Sequence, residues 1–186
     1  MSHRQGSRAG NARAWVAALV LGALTAGVVA VSAQNVPRMR KLTVASQSFS
    51  IDYPEKDWSL VPGGSTTLLA VVQRRFEAVL VVERTALQVA LSDEEIGEVF
   101  LAVEADHIRE SVPSATDIKP EIQQLGDRRV AAFYYRRNGV LGPERVLQYS
   151  MPAGTSLYRI VAVGKPESFD RHLPTMQAMA ASLTPS

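Results

Sequence analysis

The sequence contains no cysteine among its 186 residues. This absence excludes disulfides, cysteine-ligated zinc and thiol catalysis, and it excludes the lipidated cysteine of a bacterial lipoprotein. Histidine is scarce as well, with three in the chain and no H-x-x-x-H spacing, so we predict no metal site and no cofactor. The G-x-S-x-G motif of many serine hydrolases is also missing. We therefore predict that the protein is not an enzyme; a hydrolase that uses a serine with His172 and Asp170 is the alternative.

Acidic residues are absent before Asp52, whereas Arg4, Arg8 and Arg13 occur near the start of the chain. Three of the 20 basic residues thus lie in this first segment, while all 18 acidic residues follow it, so the rest of the chain has a slight excess of acid. A nucleic-acid-binding module normally carries a basic excess. We therefore predict no nucleic-acid partner.

Residues Ala14 to Val31 form a run of 18 residues without charge. As a helix this run would be about 27 Å long, close to the hydrocarbon thickness of a bilayer, and the arginines before it favour a cytoplasmic start. Two interpretations remain open. The run is either a signal peptide, cleaved between Ala33 and Gln34 after small residues, or an uncleaved membrane anchor. Both interpretations predict a domain outside the cytoplasm, periplasmic or secreted in the first case and held at the inner membrane in the second.

The remaining chain has the size of one domain. We predict a signal peptide or anchor at 1–33, a linker at 34–41 and one domain at 42–186. Alternating or apolar β-branched segments predict strands, and a capping box of Ser92 and Glu95 predicts the start of a helix. The strands are expected at 42–45, 49–53, 58–61, 66–74, 78–87, 116–125, 128–137, 144–151 and 157–163, and the helices at 92–110 and 165–183.

This order predicts an α+β fold in which a mainly antiparallel sheet of about six strands is flanked by two helices, as an α/β/α sandwich behind an N-terminal apolar helix. The link Arg75–Glu77 and the pair Gly126–Asp127 predict hairpins, and a turn is expected at 152–155. The spacing of apolar residues in the first helix predicts that Ile96, Val99, Phe100, Val103, His107 and Ile108 pack on the sheet.

The chain resembles the PsbP-like family, the fold of the extrinsic photosystem II protein and of many small exported bacterial proteins. The resemblance rests on Phe49–Trp58 (F-S-I-D-Y-P followed by Trp58), on a strand pair before an acidic capped helix, on the meander with Gly126–Asp127, and on the ending Ala181-Ser182-Leu183. It covers roughly residues 42 to 184. The resemblance implies the fold and a non-enzymatic role, and it implies no photosystem role.

Two sets of charged residues could form a binding surface. The first is the acidic set in and before the first helix, with Arg109 as its only counter-charge; a solvated helix face is the simpler interpretation. Its members are Asp93, Glu94, Glu95, Glu98, Glu104, Asp106 and Glu110. The second is a candidate surface patch on the strands, consisting of Arg128, Arg136, Arg145 and Arg159. Ion pairs and protection of sheet edges are the simpler interpretation of these arginines.

The leading hypothesis is a non-enzymatic, extracytoplasmic protein-interaction module at the bacterial cell envelope, with an envelope protein as partner and a membrane contact through residues 14–31. The alternative is a small-ligand or lipid-binding domain with a pocket between helix and sheet. A ligand that binds only the folded protein would raise its melting temperature and so distinguish the two.

Overall fold

The computed structural model describes residues 37–44, 49–64, 66–139 and 142–185. The apolar run Ala14–Val31 and the candidate cleavage site at Ala33 and Gln34 lie outside these residues. The strands are β1 (Met39–Val44), β2 (Phe49–Pro54), β3 (Trp58–Pro62), β4 (Thr67–Gln73), β5 (Ala78–Leu91), β6 (Thr116–Leu125), β7 (Arg128–Gly139), β8 (Gly142–Gly164) and β9 (Thr184–Pro185). The helices are α1 (Glu98–Ser111) and α2 (Phe169–Ala181), and a short 3₁₀ helix covers Asp93–Glu95.

Six strands form a large sheet in the order β3-β4-β5-β8-β7-β6, and every pair in it is antiparallel. The predicted hairpins are both present. The β4–β5 turn contains Arg75 to Glu77, and Gly126, at φ +64°, opens the two-residue connection between β6 and β7. Glycine is favoured at Gly126 because it reaches positive φ without steric cost.

The long strand β8 doubles back on itself. Its residues Gly142–Ser150 pair with β7, and Gly154–Gly164 pair with β5. Oε2 of Glu104 accepts hydrogen bonds from Ser150 Oγ at 2.8 Å and from Arg159 Nε at 2.9 Å. In a straight strand Ser150 and Arg159 would lie about 30 Å apart. The two halves therefore lie side by side, and the reversal falls near Gly154, at φ +59°, where the sequence predicts a turn.

Alternate residues of the large sheet face two separate cores. Val130, Ala132, Leu147, Tyr149 and Ile160 join the core that contains Met176, Met179 and Ala180 of α2. Their neighbours Ala131, Phe133, Tyr135, Val146 and Val161 join the core that contains Ala105 and Ile108 of α1. The helices thus cover opposite faces, which confirms the predicted α/β/α sandwich.

A second, three-stranded sheet in the order β1-β2-β9 was not predicted. Phe49 and Ile51 of β2 are fully buried in the core beside α2, so this small sheet covers the same face as α2 does. β1 begins at Met39, within the segment predicted as linker. Arg40, Lys41 and Thr43 are exposed and the other residues of β1 are half-buried, and pairing with β2 supplies the hydrogen bonds that hold the strand extended.

The prediction for α1 was wrong in its start and in half of its inward face. Ile96, Phe100 and Ile108 do pack in the core beside the sheet, as predicted. The capping box of Ser92 and Glu95 is present, but it caps the short 3₁₀ helix, and α1 begins only after Gly97. This interruption rotates the helix relative to the predicted pattern. Glu104, Ala105 and Ile108 face the sheet, while Val99, Val103 and His107 face solvent.

The last helix confirms the predicted amphipathic segment. α2 continues through Pro174, which lies on its exposed side. Ser182 follows the helix, and its Oγ accepts a hydrogen bond from Asp52 N at 2.8 Å. The end of α2 is thereby fixed to β2 of the small sheet.

Candidate functional site

The turn between β4 and β5 projects two arginines and a phenylalanine into solvent. Phe76 N donates to Gln73 O at 2.8 Å, which closes a turn over Arg74 and Arg75. Phe76 then adopts φ +56° and is 70% exposed. Hairpin loops of this kind place glycine or asparagine at the left-handed position, because positive φ is unfavourable for a bulky side chain. The turn therefore exposes an aromatic ring at a local cost in backbone energy.

The base of this turn is fixed to the start of α2 through Glu77. The Glu77 carboxylate accepts a hydrogen bond from Arg171 Nη2 at 2.6 Å and contacts His172 Nε2 at 3.0 Å. The His172 ring meets Trp58 edge-on, with the centroids 5.9 Å apart. The hydrogen bond with His172 and the charge of Arg171 lower the pKa of Glu77, so Glu77 stays ionised and its charge is neutralised locally.

Beside this turn lies an open polar groove of about 990 Å³ at the end of β6, β7 and β8. Its cations are Lys119, Arg136, Arg137 and Arg145, and its acids are Asp117 and Glu144. Arg145 is held in place by Asp170, at 2.7 Å, and by stacking over the Phe169 ring, 4.7 Å from the centroid. We call this end of the large sheet, defined by Arg74, Arg75, Phe76, Arg136, Arg145 and Lys165, the basic end.

A smaller apolar pocket of about 270 Å³ adjoins the groove. Val72, Phe76, Val79 and Val163 line it, together with Pro143 and Glu144, which also line the groove. Lys165 lies at its edge. The basic end therefore combines positive charge with exposed apolar surface.

The four arginines of the predicted patch fall into two groups. Arg136 and Arg145 are paired neighbours on β7 and β8 and share the groove; the Arg136 side chain is 73% exposed and lies 3.8 Å from Asp117. Arg128 lies elsewhere, in an ion pair with Asp93 at 2.9 Å. Arg159 is enclosed beneath α1. The structure therefore brings together only Arg136 and Arg145.

Arg159 belongs to a buried polar network. It binds Glu104 with two hydrogen bonds, Nε to Oε2 at 2.9 Å and Nη2 to Oε1 at 2.8 Å, and the two side chains are only 12% and 6% exposed. Ser150 Oγ donates to the same carboxylate, and Thr85 accepts from Arg159 Nη1. Glu104 was expected on a solvated helix face, and this expectation was wrong because α1 turns that residue towards the sheet.

His172 and Asp170, the named residues of the alternative hydrolase, are not brought together. His172 binds Glu77, while Asp170 binds Arg145, so these two residues serve different ion pairs. Ser150 is completely buried, and its hydroxyl donates to Glu104 rather than to a histidine. His107 is exposed on α1. Within the described ranges, no three acidic or histidine side chains converge as a metal site.

Two tyrosines of the central strands are core residues. Tyr135 faces α1 and donates to Gln148 Oε1 at 3.4 Å, whereas Tyr149 faces α2 and contacts Gln177 Nε2 at 3.3 Å. Burial raises the pKa of each phenol to about 12. These rings are therefore structural and do not form a binding patch.

The outward face of α1 carries unpartnered apolar side chains. Val99 is 79% exposed and Val103 is 61% exposed, and they lie one turn apart on the helix. Glu98, Asp106 and Glu110 are exposed around them. The sequence could not identify this surface, because the two valines fit an inward-facing pattern as well as they fit an outward one.

The similarity of this chain to known proteins lies in its fold and not in its sequence. No protein-family model matches the sequence, and no curated protein matches it significantly. Solved structures do match, and they define the class as the PsbP-like fold, which confirms the resemblance at the level of structure.

Cyanobacterial PsbP (CyanoP) from Synechocystis sp. PCC 6803 matches with a TM-score of 0.55 and 11% identity, over 83% of this chain and 96% of that one. The Ran-binding protein Mog1p of Saccharomyces cerevisiae matches with a TM-score of 0.52 and 7% identity, over 80% and 95%. LpqN of Mycobacterium tuberculosis, described as involved in cell envelope biogenesis, matches with a TM-score of 0.51 and 12% identity, over 79% and 91%. This chain spans only 48% of a matching protein from Bacteroides thetaiotaomicron.

Within the described residues, no helix is long and apolar enough to span a membrane. The run Ala14–Val31 lies outside those residues.

Proposed function

We propose that the protein is a non-enzymatic, extracytoplasmic interaction module of the bacterial cell envelope, which binds another protein through the outward face of α1. Residues 1–33 export or anchor the chain, and the binding domain begins with β1 at Met39, inside the segment 34–41 that the sequence predicts as a linker. The observation that carries the proposal is the exposure of Val99 and Val103 on a helix whose other face is well packed.

Exposed valines on a helix are unfavourable in water, since burial of apolar surface is worth roughly 25 cal/mol per Å². Contiguous apolar surface rimmed by polar residues is typical of protein interaction sites. Here the rim carries the acids Glu98 and Glu110, while Asp106 pairs with Arg109. The partner surface should therefore be apolar at its centre and basic at its margin.

The solved structures of the same fold support this proposal. Mog1p is described as a protein that binds another protein, and LpqN as one that acts in envelope biogenesis. The run of 18 uncharged residues behind three arginines supports export. The alternative of a ligand pocket between helix and sheet has less support, because the groove and the apolar pocket both lie at the end of the large sheet.

Site-specific photocrosslinking in living cells tests the proposal. A photoreactive phenylalanine analogue is placed in the full chain at Val99 or Val103, and at the exposed residue Ala181 as control. We expect an adduct of one size from both helix positions and none from the control. The variant Val99→Asp/Val103→Asp should abolish an adduct formed from position 102, with the melting temperature unchanged. Adducts at all positions alike, or at none, would refute α1 as the binding surface.

A further inference from the structure

The basic end carries exposed cations that form no ion pair with the described residues of the protein. Arg74 and Arg75 form no side-chain ion pair with the residues that the structure describes, and both are exposed beside Phe76. Surface arginines that stabilise a fold are commonly paired, as Arg40 with Glu55 and Arg171 with Glu77 are. The two turn arginines are therefore available to an external anion.

The acids near this turn are largely neutralised within the protein. Glu77 is bound by Arg171 and His172, and Glu144 is bound by Arg137 at 2.7 Å. Asp170 is bound by Arg145.

Unpaired charges remain at this end in addition to the turn arginines. Lys56 and Lys165 are exposed cations, while Asp57 and Glu167 are the exposed acids among its described residues that form no ion pair. With Arg74 and Arg75 included, the uncompensated charge at this end is positive.

Exposed apolar groups accompany this charge. Phe76 extends from the turn, and the apolar pocket opens next to it. A surface of arginine and lysine around an aromatic side chain matches the interface of an anionic bilayer, where cations meet lipid headgroups and the ring enters the boundary of the acyl chains. An acidic protein partner would also match the charges and the ring, but the position of this end relative to the apolar run favours the bilayer.

The chain leads from the basic end towards the apolar run. Met39, at the start of β1, pairs with Pro54 at the end of β2. The following loop reaches the turn, where Arg74 N donates to Asp57 O at 2.8 Å. Between Val31 and Pro37 the chain can span at most about 20 Å, whatever its conformation. If Val31 ends a membrane anchor, this end of the domain must lie close to the bilayer.

We propose that the basic end docks on an anionic phospholipid surface, with Arg74 and Arg75 on headgroup phosphates and Phe76 inserted between them. The inference rests on the anchored form of the proposed function, in which residues 14–31 stay in the membrane. It adds an orientation, in which the basic end faces the membrane and the outward face of α1 remains free for a protein partner.

The absence of cysteine permits a direct test on the full chain, because one introduced cysteine gives one label. A polarity-sensitive fluorophore is attached at Glu167→Cys, beside the turn, or at Asp127→Cys in the opposite hairpin, so that each variant loses one exposed acid. The labelled chain is reconstituted into vesicles of phosphatidylcholine alone or with an equal part of phosphatidylglycerol, each containing a lipid-borne quencher.

We expect strong quenching at position 167 in the anionic vesicles and little at position 127. Raising the salt to about 1 M, where the Debye length is about 3 Å, should abolish the quenching at position 167, because the salt screens the attraction to the headgroups. Since each basic residue near an anionic surface is worth roughly a fivefold change in affinity, Arg74→Glu/Arg75→Glu should lower the ratio of docked to undocked domain by more than about 25-fold.

The outcomes separate the two proposals. A chain that floats with the vesicles but whose position 167 remains in water refutes docking and leaves the anchor intact. A chain that floats with neither vesicle type has no anchor, which overturns the docked orientation and leaves protein binding through α1, tested by photocrosslinking, standing. Quenching at position 167 that is equal in neutral and anionic vesicles, or that requires an added acidic protein, also overturns the inference.

Discussion

Arginine serves two different purposes in two regions of this molecule. Beneath α1, Arg159 is enclosed and bound by both oxygens of Glu104. At the basic end, Arg74 and Arg75 stand in solvent on a strained turn. A buried charge must be paired for the fold to tolerate it, whereas an exposed charge contributes little to stability. The contrast therefore separates arginines that maintain the architecture from arginines available for binding.

The largest expected effect lies in the buried region. Glu104→Ala leaves Arg159 buried without a counter-charge, so we expect a loss of about 3–5 kcal/mol in the free energy of unfolding. Chemical denaturation measures it. The matched control on the same helix, Asp106→Ala, removes an exposed ion pair with Arg109 and should cost less than about 1 kcal/mol. Equal losses in the two variants would remove the distinction between the regions.

Alkaline pH tests the interior through its two central tyrosines. Tyr135 and Tyr149 have pKa values of about 12 in the folded chain, against 10.0 ordinarily. Folding favours the protonated phenols. Their contribution to the free energy of unfolding is therefore complete below pH 10 and is lost as the pH rises towards 12. The loss should be on the order of 2–3 kcal/mol for each ring.

Unfolding curves between pH 9 and pH 12, with phenolate absorbance as a second readout, measure this loss. Tyr149→Phe should reduce the slope of stability against pH. A slope that remains the same in this variant would contradict the assignment to Tyr149.

At the basic end the expected effect on stability is smaller and has the opposite sign. Phe76→Gly relieves the positive φ and should stabilise the domain by about 1 kcal/mol, while it weakens membrane docking. Phe76→Ala is the matched control, because it removes the ring but keeps the unfavourable φ. A Phe76→Gly variant that unfolds more readily would mean that the ring supports the fold.

The smallest effect on stability is expected from Arg74→Glu/Arg75→Glu. Neither side chain has an ion-pair partner among the described residues, so the free energy of unfolding should change by no more than about 0.5 kcal/mol. Thermal and chemical denaturation of the double variant measure the change. A loss comparable with that of Glu104→Ala would show that these arginines are architectural as well.

The sequence was sufficient for the order of elements, the hairpins and the sandwich, because strand alternation and turn residues are local signals. It was not sufficient for α1, where Gly97 breaks the helical phase between Ile96 and Val99. A shift of one or two residues exchanges the inward and outward sides of a helix. The pattern therefore predicted Val99 as core and Glu104 as solvated, and both predictions were reversed in the structure.

The candidate site was less accessible to prediction than the fold. Arg171 is distant in sequence from the turn that contains Arg74 and Phe76. Only the tertiary arrangement shows that Glu77 pairs with Arg171 and not with Arg74. One local feature of the sequence could have predicted that Phe76 is exposed: it is an aromatic residue in a tight link between two strands. The small sheet was missed because β9 consists of two residues and depends on its pairing with Phe49 and Ser50.

The central claim is that the domain lies outside the cytoplasm, and accessibility in intact cells tests it most directly. The full chain with Asp127→Cys is expressed, and a maleimide that crosses the outer membrane but not the inner membrane is added to whole cells before or after lysis. Our account predicts the same labelling in both samples, because residue 127 is exposed and on the outer side of the inner membrane. Labelling that appears only after lysis would place the domain in the cytoplasm and contradict the account.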